Sequence, residues 1–194
     1  LDTVLTVRDS KVRCSSLKTL SLLEFNIWKV LLVSERNPLR LVLPMALEYS
    51  GDPDAKVRSE ACKALGNIMT VFMHGNSYLA LGSSIRDILH QNIEETIQVA
   101  ASAMEDSDAN VRSMALFAIG NIAFDTAKSE EWEFVKLLPI LQLCDSAYNR
   151  LFDDNEKVIN NAIRTTGHLF HLADLESCDE GACHLDATSW ASLC

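Results

Sequence analysis

The chain has 194 residues, 48% of them apolar and 23% charged, with only seven glycines, and this composition excludes collagen-like and disordered chains. Its 17 basic and 27 acidic residues give a net charge of −10, which argues against a nucleic-acid-binding protein. No apolar run approaches the roughly 20 residues of a membrane span, and the N-terminus lacks the basic, apolar and small-residue progression of a signal peptide.

The first predicted element is one helix over 9–33. Asp9 is placed to cap it, and apolar residues three to five positions apart form a single stripe, namely Val12, Leu17, Leu20, Leu23, Ile27 and Val30. The helix should end near Asn37, because a residue that precedes a proline disfavours helical backbone.

Residues 38–50 form the next predicted helix, and the turn 51–54 leads into a second helix that reads DAKVRSEACKALGNI over 54–68. A close copy of that second helix, DANVRSMALFAIGNI, occupies 108–122. Weaker copies occupy 9–23 and 155–169. The chain is therefore predicted to be a stacked array of helical hairpins rather than a fold with a single core.

The shared valine of these copies sets the repeat register. Its separations of 45, 54 and 47 residues suit repeats of two or three helices, and the positions are Val12, Val57, Val111 and Val158. We assign the longest separation to an additional short helix within 78–90, before a first helix at 92–105. In the fourth repeat, the spacing after Pro139 predicts a longer turn at 147–154.

The array is predicted to cover residues 1–174 as about four repeats, and 175–194 to be a partial repeat or a disordered end. Because the chain starts at Leu1 and not at methionine, we expect it to be a fragment of a longer array. Within the second helix, a narrow buried stripe is predicted, consisting of Val57, Ala61, Ala64, Leu65 and Ile68. Glycine inside a helix is unfavourable, so its recurrence at one offset predicts close helix contacts at Gly66, Gly120 and Gly167.

Two acid and arginine pairs open the second helices, Asp54 with Arg58 and Asp108 with Arg112. We interpret both as structural: the aspartate caps the helix, and the arginine bonds either to that aspartate or to the neighbouring repeat. The string D-x-x-V-R-x-x-A-x-x-A-[LI]-G-N-I resembles HEAT and armadillo repeats, including those of the HEAT-repeat-containing proteins. The resemblance implies an all-α, right-handed solenoid that acts as a non-enzymatic protein-binding scaffold.

No phosphate-binding loop, dinucleotide fingerprint, nucleophile elbow or H-E-x-x-H pair is present, so we predict no catalytic residue and no cofactor. A zinc site is a minority interpretation of His168, His171, Cys178, Cys183 and His184, whose spacing is poor for a closed tetrahedral set. Isolated cysteines at Cys14, Cys62 and Cys144 favour reduced thiols and a cytoplasmic or nuclear protein.

One face of the second helices is predicted to bind a partner. Its positions include eight of the 17 basic residues and one acid. In the armadillo family, asparagines at the offset of Asn67 and Asn121 line a concave groove and bond to an extended peptide; here they could instead bond to neighbouring helices. We predict that this face binds an extended acidic segment of a protein, with contacts at Lys63, Asn67, Phe117, Asn121, Arg164 and His168.

The alternative function is that of a nuclear transport receptor, which would bind cargo and a small GTPase. Nuclear-import adaptors of the armadillo family place a tryptophan one turn before the asparagine, whereas Lys63 and Phe117 stand there in this chain. That departure puts recognition of nuclear signals in doubt. Neither function implies a membrane or a small-molecule substrate.

Overall fold

The computed structural model describes residues 9–32, 37–73, 83–128 and 139–179. Within these ranges the chain is helical and contains no strand. The helices are α1 (Ser10–Ser21), α2 (Phe25–Leu32), α3 (Leu39–Tyr49), α4 (Ala55–Met73), α5 (Ser83–Ala103), α6 (Ala109–Lys128), α7 (Ile140–Asn149) and α8 (Glu156–Asp179), with a short 3-10 helix at Arg150–Phe152. No described helix is both long enough and apolar enough to cross a membrane.

Each repeat helix begins directly after a capping residue, and three of the four caps, Asp9, Asp54 and Asp108, were predicted from the sequence. The side-chain oxygen of the cap accepts a hydrogen bond from the backbone N–H two residues later, at 2.8 Å for Asp9, 2.9 Å for Asp54, 2.8 Å for Asp108 and 3.0 Å for Asn155. Such caps satisfy N–H groups that have no partner inside the helix. They fix the starts of α1, α4, α6 and α8 at one register.

The helices form two layers. In the first, which we call the second-helix layer, α1, α4, α6 and α8 pack side by side in that order. In the other, α3, α5 and α7 each cover the repeat helix that follows them in the chain. The architecture is the predicted all-α stack of helical hairpins, and its core lies between the two layers.

The buried stripe of the second helices is confirmed. In α4 the predicted residues are at most 1% exposed, and the equivalent alanine of α6, Ala115, is fully buried. Close approach at the glycines is confirmed at two of the three positions. A Cβ added to Gly66 would lie 2.6 Å from the Cβ of Ala118, and one added to Gly120 would lie 2.7 Å from the Oγ1 of Thr165, but one on Gly167 would meet no atom of the described residues within 4 Å.

The prediction of one helix over 9–33 is wrong, because the helix breaks after Ser21. The Ser21 hydroxyl donates to the Lys18 carbonyl at 2.8 Å, and the backbone N–H of Leu22 turns back to the Thr19 carbonyl at 3.2 Å. These bonds close the last turn of α1, and the Glu24 carbonyl then accepts the first bonds of α2.

The predicted stripe of this region is also wrong in part. Val12, Ile27 and Val30 are 44%, 47% and 74% exposed, although Leu17 is fully buried as expected. The break rotates α2 so that Trp28 enters the core, where its ring lies 5.8 Å from that of Phe72. A single helical period could not anticipate that rotation.

The separate short helix predicted within 78–90 does not exist over its described part. Residues 83–90 are the first turns of α5, which runs without a break through the predicted first helix at 92–105 and ends at Ala103. No proline or glycine interrupts it, and the Asn92 side chain donates to the Ile88 carbonyl at 2.6 Å, one turn back along the same helix. Residues 74–82 lie outside the described part of the chain.

The prediction of a longer turn at 147–154 is wrong. Residues 147–149 belong to α7, and the connection 150–155, which contains the short 3-10 helix, is only one residue longer than 50–54 or 104–108. The wider spacing after Pro139 arises because this proline precedes α7, whereas Pro44 lies inside α3.

At the C-terminal end, α8 continues to Asp179, and residues 180–194 of the predicted partial repeat or disordered end lie outside the described residues. Described cysteines Cys14, Cys62 and Cys144 are free thiols. Burial raises the pKa of Cys62 to about 12 and that of Cys144 to about 11.

Candidate functional site

The repeat arginines are engaged between repeats and are therefore not available to a partner. Nitrogen to oxygen distances of 2.8 Å join Arg13 to Asp52, Arg58 to Asp106 and Arg112 to Asp153. Each aspartate belongs to the turn before the next second helix and also accepts the backbone N–H two residues later. Two partners were considered for each arginine, the capping aspartate of its own helix and the neighbouring repeat. The bond to the neighbouring repeat is confirmed.

The N-terminal halves of α1, α4 and α6 line a shallow groove of about 620 Å³ on the second-helix layer. Three lysines and three acids line it, together with polar and apolar side chains: Lys11, Lys18, Lys56, Asp54, Glu60, Asp108, Ser15, Asn110 and Met114. Lys18 and Glu60 approach each other to 3.5 Å. The capping aspartates Asp54 and Asp108, together with Glu60, therefore offset the positive charge of the three lysines. A count of the charges on one helix face did not include the two aspartates.

The asparagines of the face bond to neighbouring helices. Asn67 donates through Nδ2 to the Ser21 carbonyl of α1 at 3.1 Å, and Asn161 donates to the Ser113 carbonyl of α6 at 2.9 Å. Asn121 accepts a bond from Arg164 at 2.8 Å. All three side chains remain half-buried, so they hold the layer together while still reaching its surface.

Arg164 is the centre of a cationic and aromatic group that spans α6 and α8. Its Nη1 donates to Asn121 Oδ1, its Nη2 donates to the Phe117 carbonyl at 3.1 Å, and its guanidinium carbon lies 5.1 Å from the centroid of the Phe117 ring. Burial lowers the pKa of this guanidinium. Among the described residues, no carboxylate lies within salt-bridge distance of it, so its charge is oriented by neutral groups.

The same group continues along α6 and α8 for one more turn. The Lys128 Nζ lies 3.9 Å from the centroid of the Phe124 ring. The His168 ring also packs against the Phe124 ring, with the two ring centroids 4.9 Å apart. Burial, followed by Arg164, lowers the pKa of His168. We call this set the α6–α8 cluster; it consists of Phe117, Asn121, Phe124, Lys128, Arg164 and His168.

Four of the six predicted contact residues thus lie in one connected cluster, and the other two lie on α4. Lys63 and Asn67 share the same layer, but Asn67 is bonded toward α1 and Lys63 makes no ion pair in the described part of the chain. Phe124 and Lys128 were not among the predicted contacts. Phe124 follows Phe117 by seven residues and Lys128 follows Phe124 by four, and this helical spacing is the signal that could have included both.

The described residues contain no group of three or more His, Cys, Asp or Glu side chains placed to hold a metal ion. Of the residues weighed for zinc, His168 lies in the α6–α8 cluster and His171 is exposed one turn further along α8. The Cys178 side chain and residues 183 and 184 lie outside the described part. The zinc interpretation therefore gains nothing from the structure.

Comparison with known proteins identifies the repeat. The family model of the HEAT repeat matches residues 42–72, which comprise most of α3, the following turn and α4 as far as Phe72. No curated protein sequence matches the chain. The crystal structure of an engineered protein is similar to this fold with a TM-score of 0.50 and 15% identity, over 95% of this chain and 88% of that one.

Two further solved structures are similar at lower scores. A designed armadillo repeat protein in complex with the peptide (KR)4 has a TM-score of 0.48 and 17% identity, over 96% of this chain and 92% of that one. A structure from work on TOG–tubulin binding specificity has a TM-score of 0.46 and 16% identity, over 97% of this chain and 62% of that one.

The two-layer stack of helical hairpins is an all-α helical repeat fold, and its α3–α4 hairpin matches the HEAT repeat. Repeat stacks of this type present extended surfaces and typically serve as protein-binding scaffolds, generally without enzymatic activity of their own.

Proposed function

We propose that this chain is a non-enzymatic scaffold whose second-helix layer binds an extended acidic segment of a partner protein. The observation that carries the proposal is Arg164. A partly desolvated guanidinium held by Asn121 and the Phe117 carbonyl, without a carboxylate among the described residues, is oriented for an anion from outside. The surrounding aromatic rings would supply apolar contact for the segment's backbone and side chains.

The α6–α8 cluster is the main contact in this proposal, and Lys63 and Asn67 extend it along α4. The repeat arginines contribute nothing, because Asp52, Asp106 and Asp153 already compensate their charge. The balanced groove at the N-terminal half of the layer would take the less charged part of the segment. The chain as a whole carries a net charge of −10. A cationic cluster on such a protein would attract an acidic ligand to this layer and orient it there.

Fluorescence anisotropy with a labelled peptide rich in glutamate tests the proposal, with a lysine-rich peptide of equal length as the ligand control. We expect saturable binding of the acidic peptide that weakens as salt rises. The double variant Lys63→Glu/Arg164→Glu should abolish it. Arg40→Glu, which reverses an exposed cation of α3 on the other layer, should leave it unchanged.

Circular dichroism and thermal unfolding of each variant would establish that the fold is intact. Equal binding by the parent and a folded double variant would exclude this face as the site. Preference for the lysine-rich peptide would refute the acidic character of the ligand.

A further inference from the structure

The α6–α8 cluster offers more hydrogen-bond donors than one carboxylate can use. Two of the five N–H groups of the Arg164 guanidinium donate to Asn121 and to the Phe117 carbonyl, so three have no partner among the described residues. Lys128 is exposed and makes no ion pair with a described carboxylate. His168 adds at least one ring N–H, whether it is neutral or charged. The cluster can therefore donate to an anion from three different side chains.

His168 links the two permanently charged side chains of this cluster. Arg164 and His168 are four residues apart, so they are neighbours on one face of α8, with roughly 5–6 Å between their Cβ atoms. The centroids of the His168 and Phe124 rings are 4.9 Å apart, and the Lys128 Nζ lies 3.9 Å from the centroid of the same Phe124 ring. An anion beside His168 would thus meet Arg164 on one side, with Lys128 nearby.

The electrostatic environment of His168 is positive. Burial is the largest cause of its lowered pKa, and Arg164, His171 and Lys128 lower that pKa further, whereas Asp125 raises it. Asp125 is only 4% exposed, so its carboxylate lies away from the surface that a ligand would approach. Several cations would therefore attract one anion at this position together.

A phosphate group suits this arrangement better than a carboxylate does. Phosphoserine carries a charge of about −1.5 to −2 at pH 7 and has three strong acceptor oxygens, whereas glutamate carries a single charge on two oxygens. Arg164 and Lys128 already lie over aromatic rings of the protein itself, those of Phe117 and Phe124. The short side chain of phosphoserine can bring a phosphate to these cations without a further ring from the ligand.

We propose that the α6–α8 cluster recognises a phosphoserine within the acidic partner segment. Arg164 and His168 would hold the phosphate, and the charge of Lys128 would strengthen the attraction. This inference rests on the proposed function, since it names the group that the same surface selects. Phosphorylation of the partner would then strengthen the complex.

Fluorescence anisotropy on the 194-residue chain tests the inference at about pH 7.5, where phosphoserine is mostly a dianion. The three peptides are rich in glutamate and identical except at the central residue, which is serine, glutamate or phosphoserine. We expect the phosphoserine peptide to bind roughly tenfold more tightly than the serine peptide, which is the gain of about one charge-assisted hydrogen bond. It should also bind more tightly than the glutamate peptide, because the phosphate carries more charge and more acceptors.

The double variant Lys128→Met/His168→Gln removes two of the three cationic groups and leaves Arg164 to bind a carboxylate. It should still bind the serine peptide, but its preference for phosphoserine should fall from about tenfold to less than about threefold. Lys128→Met alone changes only an exposed side chain and should lower the preference in part. Lys157→Met removes an exposed lysine at the other end of α8 and should keep the full preference. Circular dichroism checks the fold of each variant.

The possible outcomes separate this inference from the proposed function. Equal affinity for the serine and phosphoserine peptides, or for the glutamate and phosphoserine peptides, would overturn the inference and leave an acidic-segment scaffold in place. The full preference in a folded double variant would also overturn it, because the phosphate would then bind elsewhere. Binding of the phosphoserine peptide alone would support the inference and restrict the ligand to phosphorylated segments. Binding of none of the three peptides would refute both proposals.

Discussion

Arg58 and Asp106 are separated by 48 residues in sequence, yet their side chains form a two-pronged ion pair, from Nε to Oδ2 at 2.8 Å and from Nη2 to Oδ1 at 2.9 Å. Nη1 of the same guanidinium donates to the carbonyls of Asp52 and Pro53 in its own turn. One side chain therefore joins the turns of two successive repeats. The stacking of the second helices is fixed by specific bonds as well as by apolar packing.

Arg112→Met should lower the free energy of unfolding by about 3 kcal/mol, because it removes the closest cation of Asp153, whose side chain is only 2% exposed. Arg150, 3.6 Å from the same carboxylate, retains part of the compensation. Urea unfolding at neutral pH measures the loss. Arg40→Met, on the exposed side of α3, is the control and should change the value by less than about 0.5 kcal/mol. Equal stabilities of the two variants would contradict the structural role of the pair.

Stability should also fall in acid because of these ion pairs. Arg112 lowers the pKa of Asp153 to about 2, and Arg58 lowers the pKa of Asp106. Since an unfolded aspartate has a pKa of about 3.9, the stabilisation is complete above about pH 4 and is lost as the pH falls through the folded value. Asp153 alone should account for roughly 2 kcal/mol across that window.

Urea unfolding at a series of pH values compares the parent with Asp153→Asn. The variant should be less stable at neutral pH but should lose less of its stability between about pH 4 and pH 2. The same dependence on pH in both proteins would show that Asp153 is not the titrating group.

Gly66→Ala and Gly167→Ala should shift stability in opposite directions. At Gly66 the new methyl group would overlap the Cα and Cβ of Ala118, so the helices must separate, at a cost of roughly 1–3 kcal/mol. At Gly167 no atom of the described part of the chain is in the way, and the better helix propensity of alanine should add up to about 1 kcal/mol. Thermal unfolding of both variants gives the signs. A higher melting temperature for Gly66→Ala would refute the close contact with Ala118.

The sequence was sufficient to predict the repeat register and the interior of the stack. Alanines and glycines at fixed offsets report how closely helices approach, so Ala61, Ala64 and Gly66 could be assigned before any coordinates. The ends of the stack could not be predicted in the same way. Val12 and Gly167 obey the repeat pattern, but each lacks a neighbour on one side among the described residues, and the pattern carries no information about that.

The partners of polar residues were harder to predict than their positions. The periodicity placed Asn67 and Asn121 on the second-helix face but could not decide between a ligand and a neighbouring helix, because both lie on that side. Arg164 bonds to Asn121, which lies 43 residues earlier in the sequence, and local spacing cannot predict a contact between residues so far apart in the chain. A signal for the inter-repeat ion pairs was present, since an aspartate stands two residues before the cap in three turns, but it resembled ordinary turn chemistry.

His168 should make acidic-peptide binding depend on pH near neutrality. Burial, then Arg164, His171 and Lys128, lowers its pKa against the opposing effect of Asp125, so the free protein holds His168 neutral at about pH 7. A bound carboxylate favours the charged ring, while the peptide's own carboxylates stay ionised down to about pH 5.5. Affinity should therefore rise as the pH falls from about 7 to 5.5, by up to about tenfold if binding raises the pKa of His168 by one unit. Fluorescence anisotropy at several pH values measures this, and His168→Gln should flatten the curve, whereas His90→Gln on α5 should not. A rise of equal size in His168→Gln would assign the pH dependence to another group.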